Sequence, residues 1–162
     1  MKWQKFLKNG AEEANERLTL EKTVLYNVSN HACTVGGILV SADFKTIDEN
    51  LIFYGLSASF LISEAESLGL QTASEVFADR TYQTDGSLTP RSQPNALIRE
   101  TEKSVAQVLQ MIQTQTVATT NGESVSLKAE TVCIHGDGAN ALEFARALKV
   151  NLLANKVQIS AA

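Results

Sequence analysis

The chain has 162 residues, 44% of them hydrophobic and 20% charged, enough to bury roughly 70% of the surface its unfolded form exposes without a disulfide or metal staple. That length excludes a complete eightfold β/α barrel, which takes at least about 200 residues. Lys and Arg number 14 against 18 Asp and Glu, a formal charge of −4, and with no basic cluster nucleic acid is a poor partner.

Residues 1–23 read as a divergent lead-in and 24–162 as one domain. The lead-in mixes Lys2, Lys5, Lys8, Arg17 and Lys22 with Glu12, Glu13, Glu16 and Glu21, and sets Trp3, Phe6 and Leu7 on one helical face. No apolar h-region follows the lysines, and the longest apolar run, around Ile38 to Val40, falls far short of a membrane span. A cytoplasmic chain with no membrane partner is expected. Cys33 and Cys133 belong to no CxxC pattern and read as reduced thiols. Val28 to Phe44 has apolar residues enough for a helix, but Gly36-Gly37 interrupts it at about 1 kcal/mol per glycine.

From residue 51 the pattern sharpens. Leu51 to Tyr54 is a short apolar run of the kind buried on both faces of a sheet, ended by Gly55. A helix capped by Ser57 or Ser59 follows, with Leu61, Ala65 and Leu68 in a stripe and a stop at Gly69-Leu70. Glu75 to Ala78 offers a second strand, and a long polar loop runs from Asp79 to about Asn95, of a length that is usually functional or disordered. Thr101 to Gln115 is a helix with Val105, Val108, Leu109 and Ile112 on one face. Asn121-Gly122 predicts a two-residue type I′ hairpin between Val117-Ala118-Thr119 and Val125-Ser126-Leu127. Thr131 to Ile134 is a buried strand. His135-Gly136-Asp137-Gly138 is a turn, a helix from Asn140 carries Leu142, Ala145, Leu148 and Leu152, and Val157 to Ile159 closes as a strand. Strand–helix alternation predicts an α/β fold with a mostly parallel sheet, whose ligands bind beyond the carboxyl ends of the strands.

That rule selects three segments: the turn with Ser57 and Ser59, the loop opening with Asp79-Arg80, and His135-Gly136-Asp137. His135 and Asp79 are candidates for proton transfer, joined by Asp137. Arg80 and Arg91 carry the fork that binds a carboxylate or phosphate through two oxygens. Against these stand plainer readings: Asp79-Arg80 as a surface ion pair, Asp85-Gly86 and Thr89-Pro90 as turn signals, His135 as a structural histidine. A metal trio of His135, Asp137 and Asp79 is conceivable, but two of its members share one turn. No G-x-x-x-x-G-K-[ST], G-x-S-x-G or G-x-G-x-x-G occurs.

The segment from Glu75 to Ile98, EVFADRTYQTDGSLTPRSQPNALI, followed by Cys133 to Gly138, CIHGDG, resembles the family of 5-oxoprolinase A-type subunits, also called the LamB/YcsF lactam utilisation family. The resemblance extends through Gly55 to Ser59, Leu25 to Asn27 and Phe144 to Leu148. It implies an irregular β/α barrel, here an incomplete one, and ATP-dependent opening of 5-oxo-L-proline to L-glutamate together with partner 5-oxoprolinase subunits B and C. On that reading Arg80 and Arg91, with Ser57, Ser59, Asp85 and the Gly136 amide, hold substrate or phosphate, while His135, Asp79 and Asp137 move protons. ATP is the implied cofactor. The family's D-x-N-x-D-x-G-E, N-I-A-C-G-F-H, G-A-H-P and K-P-H-G segments have no counterpart here, and Leu20-Glu21-Lys22-Thr23 stands where the last is expected. A truncated, inactive remnant or a non-catalytic binding module is the alternative function. Open barrel edges favour partner dependence or a homo-oligomer.

Overall fold

A computed structural model of the protein describes residues 23–25, 45–48, 50–136 and 141–160. The lead-in helix, the Val28 to Phe44 segment with His31 and Cys33, and Asp137 lie outside the described residues. The chain divides into two compact units, Met1–Ser74 and Glu75–Ala162.

In the first unit β1 (Thr23–Leu25) and β2 (Ile52–Leu56) pair in parallel, with Val24 opposite Phe53. Gly55 does not end the strand but lies inside it, because α1 (Phe60–Ser67) packs there: a Cβ on Gly55 would stand 3.0 Å from Ile62 Cδ1. Leu51, Phe53, Leu61, Ile62, Ala65 and Leu70 make the core. Ser59 occupies the N-cap position of α1, yet its side chain makes no capping hydrogen bond. The helix stops as the sequence predicts. Gly69 takes φ +75°, its N–H donates to the Glu66 carbonyl, and the Leu70 N–H reaches back to Ala65, a Schellman ending whose following apolar residue is buried.

β3 (Gln71–Phe77) is longer than the four residues expected and carries the chain into the second unit. There it pairs in parallel with β6 (Thr131–Cys133), Glu75 facing Thr131 and Phe77 facing Cys133. Side chains alternate across a strand, so Val76 and Ala78 fall on one side of β3 and Glu75 and Phe77 on the other. The apolar side is covered by α2 (Thr101–Thr114) and α3 (Ala141–Ala154): Ala78, Val105, Val108, Leu148 and Leu152 form a core, with Val132 and Ile134 packed against it. On α3 the buried stripe is Phe144, Leu148 and Leu152. Leu142, expected inside, is 53% exposed, since six residues at 100° each carry it well away from the face of Leu148.

Two further expectations are corrected. β4 (Thr116–Ala118) and β5 (Ser124–Ser126) form the antiparallel hairpin, but the bond that closes it, from Thr119 to Glu123, leaves three residues inside, not two. Thr119 N–H bonds the Glu123 carbonyl, Gly122 N–H returns to Thr119, and only Gly122, at φ +87°, is left-handed. A type I′ turn would need Asn121 there too. Val157 to Ile159 is not a strand. Lys156 at φ +60° ends α3, and Val157 N–H bonds the Leu152 carbonyl, so Val157 is drawn into the helix ending and packs on the core.

Candidate functional site

The side of β3 and β6 turned from the helices is where polar groups gather. Extending the register of Phe77 with Cys133 by two residues brings Asp79 opposite His135. Both Asp79 carboxylate oxygens lie against His135 Nδ1, at 3.0 and 2.9 Å, and Oδ2 also accepts the His135 backbone N–H at 3.3 Å. The Phe77 ring stacks on the imidazole, centroids 5.6 Å apart and planes 29° from parallel. The His135 side chain keeps 22% of its surface and that of Asp79 only 12%. A carboxylate on Nδ1 holds the proton there and leaves Nε2 with its lone pair. Nε2 makes no hydrogen bond among the described residues.

Glu75, Tyr82 and Cys133 adjoin this pair. Burial pushes the Glu75 carboxyl above its ordinary range, and His135, when its imidazole carries a charge, pulls the other way. Burial likewise raises the Tyr82 phenol, whose oxygen accepts the Phe77 N–H at 2.8 Å. The Cys133 thiol is pushed up to about 12, first by burial and then by the negative charges of Glu75 and Asp79. It is a neutral wall rather than a nucleophile.

The loop after Asp79 is folded rather than loose. The Arg80 guanidinium is buried and donates from Nε to the Ala96 carbonyl at 3.2 Å and from one Nη to Thr89 at 2.6 Å. Burial lowers its proton affinity, as does the charge of Arg91, with Asp79 and Tyr82 opposing. Thr81 N–H bonds Ala96, Ile98 N–H bonds the Asp79 carbonyl, and the Thr81 and Thr89 hydroxyls meet at 2.7 Å. Asp85 is exposed and its Oδ1 accepts the Ser87 N–H at 2.9 Å, tying the turn at Gly86. Arg91 and Gly136 are exposed. Ser57 and Ser59 belong to the first unit, Ser57 buried and Ser59 with a buried hydroxyl that finds no partner among the described residues.

Thus Asp79 and His135 are brought into contact, Arg80 is engaged with loop carbonyls, and Asp85 shapes a turn. Sequence reasoning missed Glu75, Phe77, Tyr82 and Gln107. The alternation of Glu75, Phe77 and Asp79 was the signal for the first two, because it marks one face of a strand that ends at the site. Among the described residues no group of three or more His, Cys, Asp or Glu is placed to hold a metal ion, and no helix is long and apolar enough to cross a membrane.

The LamB/YcsF family model matches residues 7–162. The 5-oxoprolinase A-type subunit of Bacillus subtilis (strain 168) is 48% identical over 137 residues, 85% of this chain and 53% of that protein. The protein of the same name from Tolumonas auensis is 50% identical over 85% of this chain and 54% of its own length. The chain therefore spans about half the length of the curated relatives it matches. Among solved structures, a lactam utilization protein from Thermus thermophilus superposes with a TM-score of 0.75 and 28% identity, over 91% of this chain and 62% of the other. A sequence match over nearly the whole chain and a shared arrangement of parallel strands and helices, that of an incomplete irregular β/α barrel, place this chain in the LamB/YcsF family.

Proposed function

We propose that this chain acts as the A-type component of a 5-oxoprolinase, opening the lactam of 5-oxo-L-proline to L-glutamate in an ATP-dependent assembly with B and C subunits in the cytoplasm. The observation that carries the reading is the Asp79–His135 pair at the carboxyl ends of two paired parallel strands, in a chain about half identical to proteins named for that activity. An Nδ1-protonated imidazole is a base at Nε2. It takes a proton from the water that attacks the carbonyl carbon and returns one to the ring nitrogen as the C–N bond breaks. Asp79 stabilises the imidazolium between those steps. Arg91, exposed on the loop that Arg80 anchors, is the guanidinium left to take the substrate carboxylate.

ATP belongs to this reading as the energy source for opening an unstrained amide. The described residues do not fit a nucleotide by themselves: the chain has no phosphate-loop segment, and the Arg80 guanidinium is turned onto backbone carbonyls. The steps assigned to this chain are accordingly those of its own side chains.

The test is reconstitution with B and C subunits and measurement of glutamate formed from 5-oxo-L-proline with and without ATP. Activity is expected, and Asp79→Asn or His135→Gln should lower kcat on the order of 10²- to 10⁴-fold. Inactivity of a wild-type assembly, in conditions where the Bacillus subtilis relative is active, would overturn the reading. Lactam binding without turnover would assign a non-catalytic module instead.

A further inference from the structure

The second unit ties its helix layer to the site at one side chain. Gln107 lies on α2 between Val105 and Val108, which pack against Ala78 of the strand end. Its Nε2 donates to the Phe77 carbonyl at 3.0 Å and to the Arg80 carbonyl at 2.9 Å. Both acceptors are backbone oxygens, so only the NH2 side of the amide can face them, and both of its hydrogens are used. The two carbonyls bracket Ala78 and Asp79. The Phe77–Ala78 peptide is also held at its other end, Ala78 N–H donating to Cys133 O at 3.0 Å, and between the two carbonyls Asp79 O accepts Ile98 N–H at 2.9 Å. Phe77 is held from its other side by the Tyr82 hydroxyl, and its ring is the surface on which the His135 imidazole rests.

We propose that Gln107 is a positioning residue for the Asp79–His135 pair: its amide spans the carbonyls on either side of Asp79, aims the carboxylate at Nδ1, and thereby decides which imidazole nitrogen carries the proton. The chain leaves the strand at Phe77 and turns into the loop by Arg80, and holding the backbone on either side of Asp79 fixes the direction of its Cα–Cβ bond, from which the carboxylate reaches Nδ1. Freeing them would let the carboxylate slide and release the Phe77 ring from beneath the imidazole. Its effect on turnover rests on the function proposed above; its effect on the imidazole does not.

The imidazole is therefore read first, by nitrogen-15 NMR of the full chain carrying His31→Gln, which leaves His135 the single histidine. The expected parent signature is the Nδ1-protonated tautomer, and Asp79→Asn should abolish it. Gln107→Leu keeps a good helix former of similar size but donates nothing, and Gln107→Met serves should the leucine variant not fold. Either folded variant is expected to show mixed tautomers, and in the reconstituted assembly kcat should fall tenfold or more, on the order expected for a misplaced catalytic group, while KM stays within about twofold. A folded Leu or Met variant that keeps the parent tautomer overturns the proposal. An inactive wild-type assembly would sink the functional reading alone, because the tautomer measurement needs no substrate.

Discussion

Glu75 is the residue whose chemistry is easiest to test without substrate. It shares a strand face with Phe77, two positions before it, and burial favours its neutral form over the attraction of His135. The native state then binds this proton more tightly than the unfolded chain does, where the carboxyl titrates at its ordinary value of 4.5. By linkage, the stability Glu75 contributes is fully present below that value and is lost as pH rises through the raised native pKa. Gln has nearly the same shape and no charge to bury. Glu75→Gln should therefore flatten the fall in Tm as pH rises above about 4.5 and leave the variant more stable than wild type at pH 7. Parallel pH profiles of Tm for the two proteins would contradict it.

At the scale of elements, one device occurs twice. Gln83-Thr84-Asp85-Gly86-Ser87 and Thr119-Thr120-Asn121-Gly122-Glu123 close with the same two backbone bonds, first residue to fifth and fourth to first. In both the Asp or Asn oxygen accepts the N–H two residues on, and the glycine takes φ near +80° or +87°. The loops are neighbours, since Thr120 N–H donates to the Tyr82 carbonyl. A Cβ at Gly122 would meet nothing within 4 Å, so Gly122→Ala isolates backbone strain and should cost about 1–2 kcal/mol. Gly122→Asn should cost less, because Asn tolerates that region. Urea denaturation separates the two, and equal stability of the alanine variant and wild type would refute the assignment. The sequence marked both turns, but Asn-Gly alone does not distinguish a two-residue loop from a three-residue one. That choice depends on how the flanking strands pair. Asp79 and His135 were legible for a related reason: both follow apolar strand segments, and parallel strands deliver their carboxyl ends to one place. Gln107 was not, because a polar residue beside Val105 and Val108 reads as the rim of a helix until the neighbouring carbonyls are known. Val157 to Ile159 misled because an apolar residue after a helix serves a Schellman contact as readily as a strand.

For the molecule as a whole, the second unit divides its tasks between the two sides of one strand pair. Ala78, Val132 and Ile134 pack with helices α2 and α3, while Glu75 and Phe77 of β3, and Asp79 just past its end, take the alternate positions beside Cys133 and His135. Such a layout lets stability and chemistry be perturbed apart, with Gln107 as the crossing point between them. Leu148 makes the sharpest test. It is 3% exposed, packs in the helix-side core, and makes no contact with the pair through a hydrogen bond or a charge. Leu148→Ala should cost about 2–5 kcal/mol, the transfer of its methyl groups plus the cavity they leave. Below its lowered Tm, the variant should retain the wild-type His135 tautomer and, in the reconstituted assembly, a kcat within about twofold, since Leu148 packs on the helix side of the strand pair and Asp79 meets His135 on the other. His135→Gln should lose turnover with a urea midpoint nearer wild type than that of Leu148→Ala, because its side chain lies outside the helix-side core. If Leu148→Ala erased the tautomer signature at temperatures where it remains folded, the two sides of the strand pair would have to be mechanically coupled, and the helix layer would count as part of the site.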